Sequence, residues 1–162
     1  GSFMPYKNVE TLVSAMNSLP EFQLQLLSRV HPKDRARLVA LSSAGNVVFH
    51  NGVSDHEYVE LLRAATCLVM PSRDEGFGIP VIEAMALGTP VVCSDIAIFR
   101  EIAGDAAVYV DPDSPAEFAQ AIRSIADNGT TWSDRGILQA RNFSWKSSAE
   151  NLLDILEDVA NS

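Results

Sequence analysis

The feature that most restricts this chain is the alternation of short apolar runs with longer segments of helical spacing. Runs at Phe22 to Leu27, Val47 to His50, Cys67 to Met70, Pro90 to Cys93 and Ala107 to Val110 have the length and residue types of buried strands. Between them fall helical patterns, beginning with a first helix over Asn8 to Leu19 that aligns Val9, Leu12, Val13 and Met16 on one face and is closed by Pro20. Ser54-Asp55-His56-Glu57 and Ser114-Pro115-Ala116-Glu117 both match a capping box with Glu at N3, and Pro115 suits the first helical position. Strands separated by helices of this length cannot pair through tight turns, so they run parallel through right-handed crossovers. The expected fold is α/β, a Rossmann-like doubly wound parallel sheet. Helical patterns near Asp134 to Asn142 and at Leu152, Leu153, Ile155, Leu156 and Val159 are expected to pack outside it.

A chain of 162 residues with 47% hydrophobic content supports one core, so residues 1–162 are read as a single domain. Its 12 basic and 21 acidic residues give a formal charge of −9, which repels phosphate backbones, and no nucleic-acid partner is expected. Cys67 and Cys93 each lie in an apolar run and read as reduced core thiols rather than a disulfide. No apolar stretch approaches the ~20 residues needed to span a bilayer and no signal-like segment opens the chain, which points to a soluble, cytoplasmic protein.

Open α/β sheets bind ligands beyond the carboxyl ends of their strands, so the loops that follow strands matter most. The richest follows Met70: Pro71-Ser72-Arg73-Asp74-Glu75-Gly76-Phe77-Gly78-Ile79. Its two glycines allow close approach of backbone to a ligand, and it runs into Pro80 at an expected N1 position of a helix that stops at Gly88. Such a helix end aims free N–H groups and partial positive charge into the crevice, an arrangement that holds a diphosphate without a metal. Glu75 precedes the helix and Glu83 lies a turn inside it, so two carboxylates can accept hydrogen bonds from hydroxyls of the same ligand. A sugar nucleotide offers that combination of groups.

The whole string Glu75-Gly76-Phe77-Gly78-Ile79-Pro80-Val81-Ile82-Glu83-Ala84-Met85-Ala86-Leu87-Gly88-Thr89-Pro90-Val91-Val92 resembles the E-x7-E signature of family 4 glycosyltransferases. The resemblance extends from Pro5-Tyr6-Lys7-Asn8, through Gly52-Val53-Ser54-Asp55 and Ser94-Asp95, to Phe143-Ser144-Trp145. It implies the C-terminal, donor-binding half of a retaining GT-B enzyme. By the same resemblance, Glu75 contacts hydroxyls of the transferred sugar, Glu83 contacts the ribose, and backbone from Gly76 through Phe77 and Gly78 to Ile79 meets the donor phosphates. Lys7 matches the family's phosphate-binding lysine, and Glu75 and Lys7 are the expected catalytic pair. Val53 matches a position that packs against the nucleobase, and it reads equally as ordinary loop packing. The family arginine five residues before the lysine is Ser2 here, at a start that reads either as natural sequence or as a cloning remnant. A central first strand is expected to precede Gly1 in the family pattern.

Other chemistry-bearing residues have plainer explanations. Asp111-Pro112-Asp113 is formally a D-x-D, yet it runs straight into a helix cap and reads as a turn. His31, His50 and His56 lack zinc-ligand spacing, and no metal ligands are assigned. Arg73 and Asp74 read as solvated loop charges, and Arg100 and Glu101 as an exposed ion pair on a short helix.

The implied activity is transfer of a hexose of mannose or glucose type, from a GDP- or UDP-linked donor to an acceptor hydroxyl, with retention and without metal or cofactor. The expected partners are the nucleotide sugar and an N-terminal acceptor domain, with a cytoplasmic location that extends to the inner face of the membrane. This segment alone is expected to be inactive. The alternatives are a non-catalytic nucleotide-sugar-binding module and a GT-B-like sugar-nucleotide epimerase.

Overall fold

The computed structural model describes residues 3–160. Strands β1 (Leu24–Leu27), β2 (Val47–His50), β3 (Leu68–Met70), β4 (Val91–Ser94) and β5 (Ala107–Val110) alternate with helices α1 (Val9–Met16), α2 (Pro32–Leu41), α3 (Asp55–Ala64), α4 (Ile79–Ala86), α5 (Ala97–Ala103), α6 (Pro115–Ala140) and α7 (Trp145–Ala160). Every strand pairing is parallel: β1 with β2, β3 with β4 and β4 with β5.

The two-residue period of β4 explains why helices cover both faces. Val91 and Cys93 enter a core built with Val81, Ala84 and Met85 of α4 and with Phe99 and Ile102 of α5. Val92, between them, enters a second core with Leu12 and Met16 of α1 and with Phe118, Ile122 and Ile125 of α6. Phe99 and Phe118 are wholly buried, one in each core. Burial of a side chain of this size stabilises the fold by roughly 1.5–3 kcal/mol.

The sheet is divided. β1–β2 and β3–β4–β5 form separate ladders, and their edge strands β1 and β3 face a groove of about 410 Å³. Leu24, Gln25 and Leu27 line it on one side, and Cys67, Leu68 and Val69 on the other.

Several expectations are corrected in detail. The first strand begins at Leu24 rather than Phe22, because the Phe22 N–H closes a turn on the Leu19 carbonyl. The Asn46 amide then donates to the carbonyls of Met16, Leu19 and Phe22 at 3.2, 2.9 and 3.0 Å, holding that turn. Ser54 and Glu57 make the full reciprocal capping box. Ser114 accepts from the Glu117 N–H, but the Glu117 carboxylate turns to the Asp111 N–H instead. Asn128, with φ −133° and ψ 24°, kinks α6 without ending it.

Beyond the kink, α6 packs on α4, where a Cβ at Gly136 would stand 3.2 Å from Met85 Cγ. The final helix lies outside the sheet, as expected, but does so without burying a side chain. No residue of α7 is buried, and Leu152, Leu153, Ile155, Leu156 and Val159 are 55–70% exposed along it. No helix among the described residues is long and apolar enough to cross a membrane. Both cysteines are free, Cys93 fully buried and Cys67 beside the groove.

Candidate functional site

The carboxyl end of β3 leads into the glycine-containing loop, and α4 begins at its far side. Gly78 is the residue before the helix, at φ 92° and ψ 43°. A Cβ there would lie 2.9 Å from Ile102 Cδ1 and 3.0 Å from Phe99 Cε1, so conformation and packing both demand glycine. Pro80 falls at the second helical position, since α4 opens at Ile79, and its missing N–H is one the first turn does not use. At the other end the Thr89 N–H returns to the Ala84 carbonyl and the Gly88 N–H to Met85, a Schellman closure that fixes the helix length.

Among the described residues, no protein acceptor takes the N–H groups of Gly76, Phe77, Gly78 or Ile79. A Cβ at Gly76 would meet nothing within 4 Å, so space lies open beside this backbone. Phe77 and Ile79 are exposed at 46% and 43%, and Phe77 rests edge-on against Phe143 with centroids 6.2 Å apart. Unpaired amides at a helix N-terminus favour an anion.

Charge is brought to this corner from the other end of the chain. Lys7 ends a 3-10 turn, Pro5–Lys7, and its ammonium lies 2.6 Å from Glu75 Oε1. Ser72 Oγ donates to the same carboxylate oxygen at 2.8 Å. Glu75 is largely covered while Lys7 remains partly accessible, with side-chain exposures of 10% and 22%. The sequence-predicted pair is therefore in direct contact.

Asn8 places Lys7 there. It adopts the left-handed conformation, φ 54°, is 1% exposed, and donates its side-chain amide to Pro71 O at 2.9 Å and Pro112 O at 2.7 Å. The Arg73 N–H adds a bond to the Tyr6 carbonyl at 2.7 Å, and the Arg73 guanidinium pairs with Asp113. Residues 5–8, 71–75 and 111–113 are thus tied into one corner. The D-x-D is the third of these pieces: Asp111 Oδ1 accepts from the Asp113 N–H and the Asp111 carbonyl from the Ser114 N–H, forming the expected turn.

Glu83 stands exposed on α4 and accepts from the Tyr58 hydroxyl on α3 at 2.7 Å. Burial first, then the Glu83 carboxylate, raises the phenol pKa of Tyr58, so it remains a proton donor at neutral pH. Val53 is half-buried in the loop just ahead of the Ser54 cap of α3, the helix whose Tyr58 reaches Glu83. The Arg100 reading is corrected: its guanidinium makes two 2.7 Å bonds to Asp95, not to Glu101, and lies 4.0 Å from the Tyr109 ring centroid. The Arg100 bonds hold the Asp95 carboxyl below its ordinary pKa. Ser2 lies outside the described residues.

Sequence reasoning missed Asn8, Ser72 and Tyr58 as members of this corner. Only Ser72 carried a local signal, its position in the loop. Asn8 joins the corner through Pro71 and Pro112, 63 and 104 residues away, and Tyr58 through Glu83, 25 away.

An α/β domain with two flanking carboxylates and a lysine at an open helix N-terminus matches one family description. The model for glycosyl transferases group 1 matches residues 1–143, and the chain belongs to that family. It is 34% identical over 160 residues to O-antigen chain mannosyltransferase B of Escherichia coli, covering 91% of this chain and 42% of the relative. Identity rises to 47% over 88 residues with O-antigen chain mannosyltransferase RfbU of Salmonella typhimurium, covering 54% of this chain and 25% of that protein. Sucrose-phosphate synthase from Thermosynechococcus elongatus superposes with TM-score 0.86 at 32% identity, over 100% of this chain and 45% of that one. Anabaena HepE in complex with UDP-glucose has the same fold, with TM-score 0.84 at 20% identity, over 98% of this chain and 47% of its own. The chain therefore spans less than half the length of these relatives, and the fold they share is GT-B.

Proposed function

We propose that this chain is the donor-binding part of a family 4 hexosyltransferase, which moves a mannose- or glucose-type sugar from a nucleoside diphosphate to an acceptor hydroxyl with retention. One observation carries the reading: four amides leading into α4, without a protein acceptor among the described residues, follow directly on Glu75, which Lys7 contacts, and precede Glu83 in the same segment. The diphosphate lies on those amides and on Lys7, Glu75 accepts from hydroxyls of the transferred sugar, and Glu83 accepts from the ribose. Val53 lies on the nucleobase side. The mannosyltransferase names of the relatives and the UDP-glucose complex of HepE support a nucleotide-sugar donor, GDP- or UDP-linked.

Departure of the diphosphate builds negative charge where the helix end and Lys7 meet. A helix N-terminus contributes roughly 0.3–2 kcal/mol, against the 8–23 kcal/mol or so by which enzymes lower barriers. Lys7, the aligned amides and exclusion of water supply more, with the remainder from a second domain that carries the acceptor site. Three features support that second domain: the relatives' greater length, the uncovered apolar stripe of α7, and the groove between β1 and β3, whose two parallel edges suit a strand contributed from ahead of Gly1. The proposed setting is the cytoplasm or the inner face of the membrane, in polysaccharide synthesis, and the positive charge already present makes binding independent of metal.

Calorimetric titration with GDP, UDP and ADP, with and without magnesium, tests the donor site. Binding of one nucleotide, unchanged by magnesium and weakened in Lys7→Ala, is the expected result. A folded protein that binds none of them would refute it. Retention is tested on the product of the full-length enzyme, whose anomeric configuration by NMR must match that of the donor.

A further inference from the structure

The Tyr58 to Glu83 hydrogen bond joins an exposed carboxylate to a phenol whose ring is half-buried against the core containing Leu62, Val81 and Phe99. The capping box of Ser54 and Glu57 fixes the start of α3, one turn before Tyr58. The hydroxyl is therefore held from a rigid seat. A glutamate side chain on an exposed helix face otherwise samples many rotamers, and ordering it on a ligand costs entropy.

The bond goes to Oε2 alone, and among the described residues no protein donor reaches Oε1. We propose that Tyr58 is a positioning residue for nucleotide recognition, fixing Glu83 by one oxygen so that the other accepts from the ribose. This rests on the reading of Glu83 as the ribose-binding carboxylate. It adds that selection for ribose over deoxyribose depends on a side chain that does not itself touch the nucleotide.

Tyr58→Phe removes one oxygen and keeps the buried ring. The intact protein and this variant are titrated calorimetrically with GDP and UDP, and with the 2′-deoxy and 3′-deoxy forms of whichever binds. Wild type is expected to prefer the ribonucleotide, and Tyr58→Phe to bind that ribonucleotide about three- to tenfold more weakly, the range of one hydrogen bond. Its affinity for the analogue lacking the contacted hydroxyl should be unchanged.

Equal losses for both nucleotides would reduce Tyr58 to a structural role and overturn the proposal. So would unchanged selectivity, or tighter ribonucleotide binding, which would make Tyr58 a competitor of the ribose for Glu83. A wild-type protein that binds both forms equally would refute the ribose reading of Glu83 itself, and the proposal with it.

Discussion

Lys7 Nζ and Glu75 Oε1 lie 2.6 Å apart although 68 residues separate them in sequence. A phosphate that takes Lys7 competes with this contact, while Ser72 keeps its bond to the carboxylate. Lys7→Ala should weaken nucleoside diphosphate binding about 10- to 100-fold, the range for a hydrogen bond to a charged group. Glu75→Gln should leave nucleotide affinity within a few fold and abolish sugar transfer by the full-length enzyme. Calorimetry and an activity assay on the two variants separate these roles.

Gly78→Ala should destabilise the domain by about 2–5 kcal/mol, because an unfavourable φ adds to overpacking against Ile102 and Phe99. Gly45 has a positive φ with nothing within 4 Å of its Cβ position, so Gly45→Ala isolates the backbone contribution, about 1 kcal/mol. The difference between their unfolding midpoints in urea measures the packing at the start of α4.

Asn8→Asp should be worse than Asn8→Ala. Aspartate keeps the size but faces its carboxylate towards the Pro71 and Pro112 carbonyls that the amide satisfies. The Thr11 hydroxyl donates to only one side-chain oxygen, so a buried charge left facing two carbonyls costs about 3–5 kcal/mol, against roughly 1–3 kcal/mol for a lost partner. Denaturant titration of both variants, at a pH where aspartate is ionised, gives the order.

Ending the chain at Ser144 should leave the unfolding free energy of the remainder within about 0.5 kcal/mol of the parent, since α7 buries no residue. It should also reduce self-association, because the exposed leucine and isoleucine stripe goes with it. Thermal melts and light scattering check the two halves.

Burial raises the pKa of both Cys67 and Cys93 to about 12. A group with a raised folded-state pKa contributes its stability fully below the unfolded pKa, near 8.5 for a thiol, and loses it as pH climbs towards the folded value. Stability should therefore fall between about pH 8.5 and 12, and Cys93→Ala should make that decline shallower. Folded protein should also react slowly with Ellman's reagent at pH 8, and rapidly in denaturant.

The strands and their parallel order were legible because each apolar run is bounded by turn residues and followed by a helical pattern. The loop from Ser72 to Ile79 was legible because glycine, proline and glutamate act there through local backbone geometry. Asn8 was not: an asparagine before a helix reads as a cap, yet its side chain caps nothing and instead crosses to Pro71 and Pro112. Tyr58 was not legible either, since nothing local reveals that its hydroxyl reaches Glu83 on α4. The exposure of α7 was equally hidden, because an amphipathic pattern records that a face needs covering and not what covers it.

The Asn8 contacts also order events in time. Its two acceptors lie 63 and 104 residues further along, so the corner closes two long loops whose entropy must be met by sheet and helix packing first. During synthesis, no chain shorter than Pro112 can complete it, and during refolding it forms among the last contacts. Recovery of nucleotide affinity should therefore trail recovery of helical signal, making ligand binding a clock for the completion of folding rather than for its onset.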